Sequence, residues 1–72
     1  MTETRLAMAE RHVREGADRI TRQQALIAKF IRDGHEAMLP QAHILLTHLE
    51  DVQAMSKEHL ARYQAEAASG SR

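Results

Sequence analysis

The chain has 72 residues, ten basic and ten acidic side chains, five histidines and no cysteine. That length allows one domain with a marginal core, the missing thiols exclude disulfides and thiolate metal sites, and a formal charge of zero leaves no overall field to gather phosphate backbones or anionic lipid. Apolar residues make up 43%, but Phe and Tyr occur once each and Trp not at all, so the apolar content is aliphatic and the expected class is all-α.

The first predicted helix spans about residues 4–33. Leu6, Val13, Ile20 and Ile27 recur every seven positions, with Ala9, Gly16, Ala17, Phe30 and Ile31 at neighbouring places on that face, a 3.5 to 3.6 period. Thr2 or Thr4 suits the N-cap and Glu3 the positive end of the dipole. Glu10 with Arg14, Glu15 with Arg19 and Asp18 with Arg22 are acid-before-base pairs at i,i+4, each worth about 0.2–0.5 kcal/mol on an exposed helix. Gly34 closes the helix, because a residue without Cβ enters the left-handed C′ conformation without strain.

A turn is expected over residues 34–37, followed by a second helix over about 38–67. Pro40 is accepted in a first helical turn, where its missing N–H would be unpaired anyway. Leu39, Ala42, Leu46, Leu49, Gln53, Ser56, Leu60, Tyr63 and Ala67 follow at alternating spacings of three and four, flanked by Met38, Leu45 and Val52. The expected domain is therefore one hairpin over residues 1–68, with 69–72 as a flexible tail. Its arms should be about 45 Å long at 1.5 Å per residue.

Folding about residue 35 or 36 pairs positions whose numbers total about 71, within one helical turn. Ile27 then meets Ile44 and Leu45, Ile20 meets Val52, and Val13 meets Leu60. Close to the corner the apolar positions encircle both arms, whereas two cylinders in contact hide only one stripe each. The surplus marks an expected interface at Leu26, Ile27, Phe30, Ile31, Leu39, Leu45, Leu46, Leu49 and Val52. Burying it in a second copy gives a homodimeric four-helix bundle with two-fold symmetry; another protein is the alternative occupant.

No catalytic residue is expected. Ser56 lies inside the apolar heptad, and there is neither a glycine-rich phosphate loop nor a pair of buried carboxylates. Arg11, Arg14, Arg19 and Arg22 are interleaved with Glu10, Glu15 and Asp18 and lack aromatic neighbours, so a nucleic-acid partner is not expected. No apolar run approaches the length of a membrane span and no leader pattern opens the chain, so the expected setting is cytoplasmic, with no membrane partner. No cofactor is expected. Among the histidines only His12 and His59 should lie level across the hairpin, a weak candidate for a metal site or a pH-sensitive contact beside Glu15, Glu58 or Tyr63.

Two resemblances bear on this reading. The run HEAMLP from His35 to Pro40 is similar to the phospho-acceptor box of sensor histidine kinases, where the histidine also sits on a dimeric helical hairpin; Gly34 before the histidine, and Met38 and Leu39 before the proline, depart from that box. Phosphotransfer at His35 is thus an alternative to a solvated turn. Over residues 9–50, AERHVREG, RITRQQALIA, DGH and the pair Leu45 and Leu46 with Glu50 resemble a family of short bacterial helical-hairpin proteins without an assigned activity. That resemblance implies the hairpin and supplies no function.

Overall fold

The computed structural model describes residues 2–70. Helix α1 runs Arg5–Arg32, a single 3₁₀ turn covers Glu36–Met38, and helix α2 runs Leu39–Ser69. The two helices pack side by side in antiparallel fashion, a helical hairpin 58 × 23 × 14 Å in extent. Helix α1 begins at Thr4, whose Oγ1 accepts the Ala7 N–H at 3.0 Å, satisfying one of the amides that a helix start leaves unpaired. Lys29 and Arg32 occupy the last turn, where positive charge complements the dipole.

The corner is built from backbone hydrogen bonds. Asp33 is the last cap residue and Gly34 follows at φ 75°. The Gly34 N–H donates to Ile31 O at 3.3 Å and the His35 N–H reaches back to Phe30 O at 2.8 Å. This pair of bonds is the Schellman arrangement, which satisfies carbonyls that α1 would otherwise leave bare. The 3₁₀ turn then takes over: Met38 N–H donates to His35 O at 3.1 Å, and Leu39 N–H donates to Glu36 O. These bonds stand in for the side-chain cap that α2 lacks, with Pro40 in its first turn. At the far end α2 continues through Ser69, beyond the expected limit, and Gly70 N–H closes it on Glu66 O at 2.9 Å. The remainder of the expected tail, Ser71 and Arg72, lies outside the described residues.

Two glutamines bridge the seam. Gln23 Nε2 donates to Ala42 O at 2.9 Å, and Gln53 Nε2 donates to Val13 O at 2.8 Å. Each carbonyl has a second lone pair available beyond the one its own helix uses. Reaching across to opposing backbone requires the helices to approach closely, and the residues at the seam are small. A Cβ built on Gly16 would overlap Gln53 Oε1 and stand 2.8 Å from its Cδ. Gly16 is therefore level with Gln53, positions totalling 69, so the fold pivots on Gly34 and His35 and the register lies within one turn of the expected one.

Among the described residues the buried apolar side chains are Ala9, Ile27 and Ala42, joined by the polar Gln23 and Gln53. Among the described residues no large side chain is wholly enclosed. The inward stripe of α2 is the alternating series from Leu39 through Leu60, and Leu39, Leu46, Leu49 and Leu60 on it are only half-buried. Ile44, expected opposite Ile27, is 66% exposed, because two residues from Leu46 is about 200° around the helix. Val52, the expected neighbour of Ile20, is also exposed at 38%.

The Gly16 and Gln53 contact gives a test in which two effects of opposite sign compete. Replacing a helical glycine with alanine favours the helix by about 0.8–1.0 kcal/mol. Displacing the Gln53 amide from Val13 leaves buried polar atoms unpaired, at a cost of about 1–3 kcal/mol. Gly16→Ala is therefore expected to lower stability by about 0–2 kcal/mol, whereas in a Gln53→Ala background the same change should raise it. Chemical denaturation of the four proteins in this cycle checks the reversal of sign; equal effects in both backgrounds would show that the two residues are not coupled.

Candidate functional site

Three places carry the candidate residues, and the hairpin keeps them apart. The corner holds His35. Its backbone closes α1, and its ring meets Phe30 edge-on with centroids 6.2 Å apart and planes at 84°. These are the two positions that commonly touch across a Schellman corner, so the histidine has a local structural task. Met38 and Leu39 follow it in the 3₁₀ turn and the start of α2.

The second place is the apolar surface beside the corner. Leu26, Ile31, Leu45 and Val52 are exposed, as are Met38 and Ile44, while Phe30, Leu39, Leu46 and Leu49 are half-buried. Ile27 is 8% exposed; its side chain is already used in the seam and is not available to a partner. Met38, Leu45 and Val52 follow at seven-residue intervals along one flank of α2, a spacing that keeps side chains in line. On α1 the positions 8, 12, 15, 19, 22 and 26 alternate by four and three, so Met8, His12, Glu15, Arg19, Arg22 and Leu26 form a corresponding flank.

At the open end these flanks form the third place, a cleft of about 210 Å³ lined by Arg5, Met8, Ala9, His12, Ser56, His59 and Tyr63. The structure thus brings His12 and His59 to one cleft, as the register estimate anticipated. The expected helpers Glu15 and Glu58 do not line it, whereas Tyr63 does. Among the described residues no group of three His, Asp or Glu side chains is placed to share a metal ion. The remaining histidines are elsewhere; His43 donates from Nδ1 to Leu39 O at 2.9 Å, one turn back on its own helix.

Charge pairing differs from the pattern expected on α1. Among the described residues the ion pairs are Arg11 with Glu3 at 2.9 Å and Arg11 with Glu15 at 3.4 Å; the three anticipated acid-before-base pairs stay open. Exposed pairs of that kind gain little against hydration and side-chain entropy, whereas Arg11 spreads one guanidinium over two carboxylates. The Arg11 hydrogen bond holds the Glu3 carboxyl below its ordinary range, and the same bond raises Arg11. The small stabilisation from Glu3 is accordingly present above the ordinary Glu pKa and lost as pH falls through the lowered value.

Sequence reasoning did not find the bridging role of Gln23 or Gln53. The available signal was an amide at seam spacing: Gly16, Ile20, Gln23 and Ile27 alternate by four and three, and Gln53 stands in the mainly apolar heptad of α2. Nor did it find Arg5 and Met8 beside the histidine pair, since that required knowing which flank of α1 faces the flank of His59.

No family model, curated protein or solved structure matches the chain.

Corner geometry sets the expected order of two substitutions. Gly34→Val places a β-branched residue at φ 75° and should destabilise by about 1–3 kcal/mol. His35→Ala loses one exposed edge contact and should cost under about 1 kcal/mol. Melting curves of both variants test the order; a larger loss for His35→Ala would mean that the ring contact, and not the left-handed glycine, holds the corner.

Proposed function

We propose that the hairpin is a non-enzymatic protein interaction module that works as a homodimer, joined through the apolar surface beside the corner. The observation that carries this reading is the mismatch between a thin core and a rich surface. The seam buries Ala9, Ile27 and Ala42, while Leu26, Ile31, Met38, Ile44, Leu45 and Val52 remain 38–66% exposed. Fully burying a large aliphatic side chain is worth about 1.5–3 kcal/mol, so covering several of them in a second copy adds an amount comparable with the whole stability of a small domain. A two-fold pair of hairpins brings the same surface to itself, the self-complementary arrangement that closes without leaving a free edge. Exposed large apolar side chains gathered beside one corner support an association site, and another protein seated on the same residues is the variant of this reading that remains if the chain is monomeric.

A second reading, a pH-responsive or metal-responsive binder, draws support from the placement of His12 and His59 on one cleft. Its pH-responsive form is the better supported of the two, since the cleft provides two imidazoles and no carboxylate. Phosphotransfer at His35 has less support. Gly34, His35 and Phe30 already form a closed structural corner.

Sedimentation equilibrium at micromolar concentration is expected to give the mass of two chains of 8.2 kDa; the mass of one chain would end the homodimer reading. Leu45→Glu should abolish association, because Leu45 is 46% exposed in the hairpin and an unpaired charge there cannot be buried cheaply. Leu46→Ala and Leu49→Ala separate the same alternatives by magnitude. Half-buried in a lone hairpin, each should cost about 1–2 kcal/mol, whereas complete burial in a dimer raises the loss to about 2–5 kcal/mol and makes the melting temperature depend on protein concentration.

A further inference from the structure

The cleft at the open end differs in chemistry from the apolar surface beside the corner. Its polar lining comprises one guanidinium, two imidazoles and two hydroxyls, from Arg5, His12, His59, Ser56 and Tyr63, and none of its seven lining residues is acidic. Every one of those groups can donate a hydrogen bond. Among the described residues none of the five makes a side-chain hydrogen bond or ion pair of its own.

Acidic residues close in sequence to the cleft residues stay out of its lining: Glu3 and Glu15 turn to Arg11, and Glu10 and Glu58, beside Ala9 and His59, are exposed and are not among the lining residues. Arg11, which is not part of the cleft, shares its one guanidinium between Glu3 at 2.9 Å and Glu15 at 3.4 Å and holds both carboxylates to itself. The lining itself therefore carries one fixed positive charge, on Arg5, four further donor groups and no carboxylate. Arg5 and Met8 also lie in the first turn of α1, the positive end of its dipole.

We infer that this cleft binds a small oxyanion of the phosphoryl class. Arg5 supplies the fixed positive charge and a planar fork of N–H donors. His12 and His59 supply imidazole N–H groups from opposite helices, and the Ser56 and Tyr63 hydroxyls complete the donor set. Met8 and Ala9 form the apolar part of the lining. At about 210 Å³ the cleft is smaller than the pockets that hold drug-sized ligands, which selects a phosphoryl group on a small body over a nucleotide. The same donor set without a carboxylate disfavours a divalent cation, whose hard-oxygen or three-ligand requirements it does not meet.

The five histidines make the experiment self-controlled, because only His12 and His59 line the cleft. The imidazole proton resonances of the whole chain are followed during titration with inorganic phosphate, with sodium chloride at matched ionic strength, with acetate and with Zn²⁺. The expected result is a saturable shift confined to His12 and His59, at least fivefold tighter for phosphate than for acetate. Arg5→Ala and His59→Gln should each weaken it at least fivefold, with helical content unchanged since both side chains are exposed. Tyr63→Phe, which keeps the ring and removes only the hydroxyl, should weaken it to a smaller degree. Equal shifts at all five histidines, a response matched by chloride, affinity unaffected by Arg5→Ala, or binding of Zn²⁺ without any response to phosphate would each overturn the inference. The titration reads the cleft directly, so its failure is distinguishable from a failure of the dimer, which sedimentation reports.

Discussion

The close approach of the two helices, enforced by glutamine amides that must reach the opposing backbone, is the constraint on which the rest of this structure depends. Gln23 and Gln53 each donate across the seam to a carbonyl, on Ala42 and Val13. Side chains of that length make such bonds only if the residues between the helices are small, and Ala9, Gly16 and Ala42 supply the room. The polar contacts fix how far apart and at what register α1 and α2 lie, a kind of specificity that apolar contact alone gives poorly.

The cost of that arrangement falls on the core. A seam of alanine, glycine and two amides removes little apolar area from water, and large side chains cannot enter it without pushing the helices apart. The leucines of the α2 heptad are left half-covered, and Leu26, Leu45 and Val52 stand on the flanks. Close packing at the centre and apolar exposure at the margins are thus two results of one cause. These exposed margins are what support the proposal that the hairpin is an association module. Gln53 Oε1 adds a local tension: it is buried without a hydrogen-bond partner, resting against the bare Cα of Gly16, where any larger residue would displace it.

The two ends of the molecule divide the chemistry. At the corner, hydrogen bonds from Gly34 and His35 close α1, and a 3₁₀ turn leads directly into α2, so the polar residues there are engaged in turning the chain. At the open end Arg11 draws two carboxylates to itself, and the cleft between Arg5, His12 and His59 keeps its donors uncommitted. The cleft and the corner surface share no residue, so the two proposals stand on separate parts of the hairpin.

The sequence by itself determined the two helices, the corner and the excess of apolar residues beside it. These are properties of local order: the seven-residue recurrence from Leu6 to Ile27, the alternating stripe from Leu39 to Ala67, and the glycine and proline at Gly34 and Pro40 act within a turn or two of chain. It also placed His12 and His59 level, since antiparallel folding about a known corner fixes height to within a turn. What only the tertiary structure decided was rotation about each helix axis. Positions two apart on a helix lie about 200° apart around its axis, so once Leu46 turns to the seam Ile44 stands in solvent, and the face that α1 turns to His59 brings Arg5 and Met8 to the same cleft. The bridging amides were equally invisible, because a glutamine at a seam position reads as a polar interruption until the carbonyl it reaches, forty residues away for Gln53, is set in space.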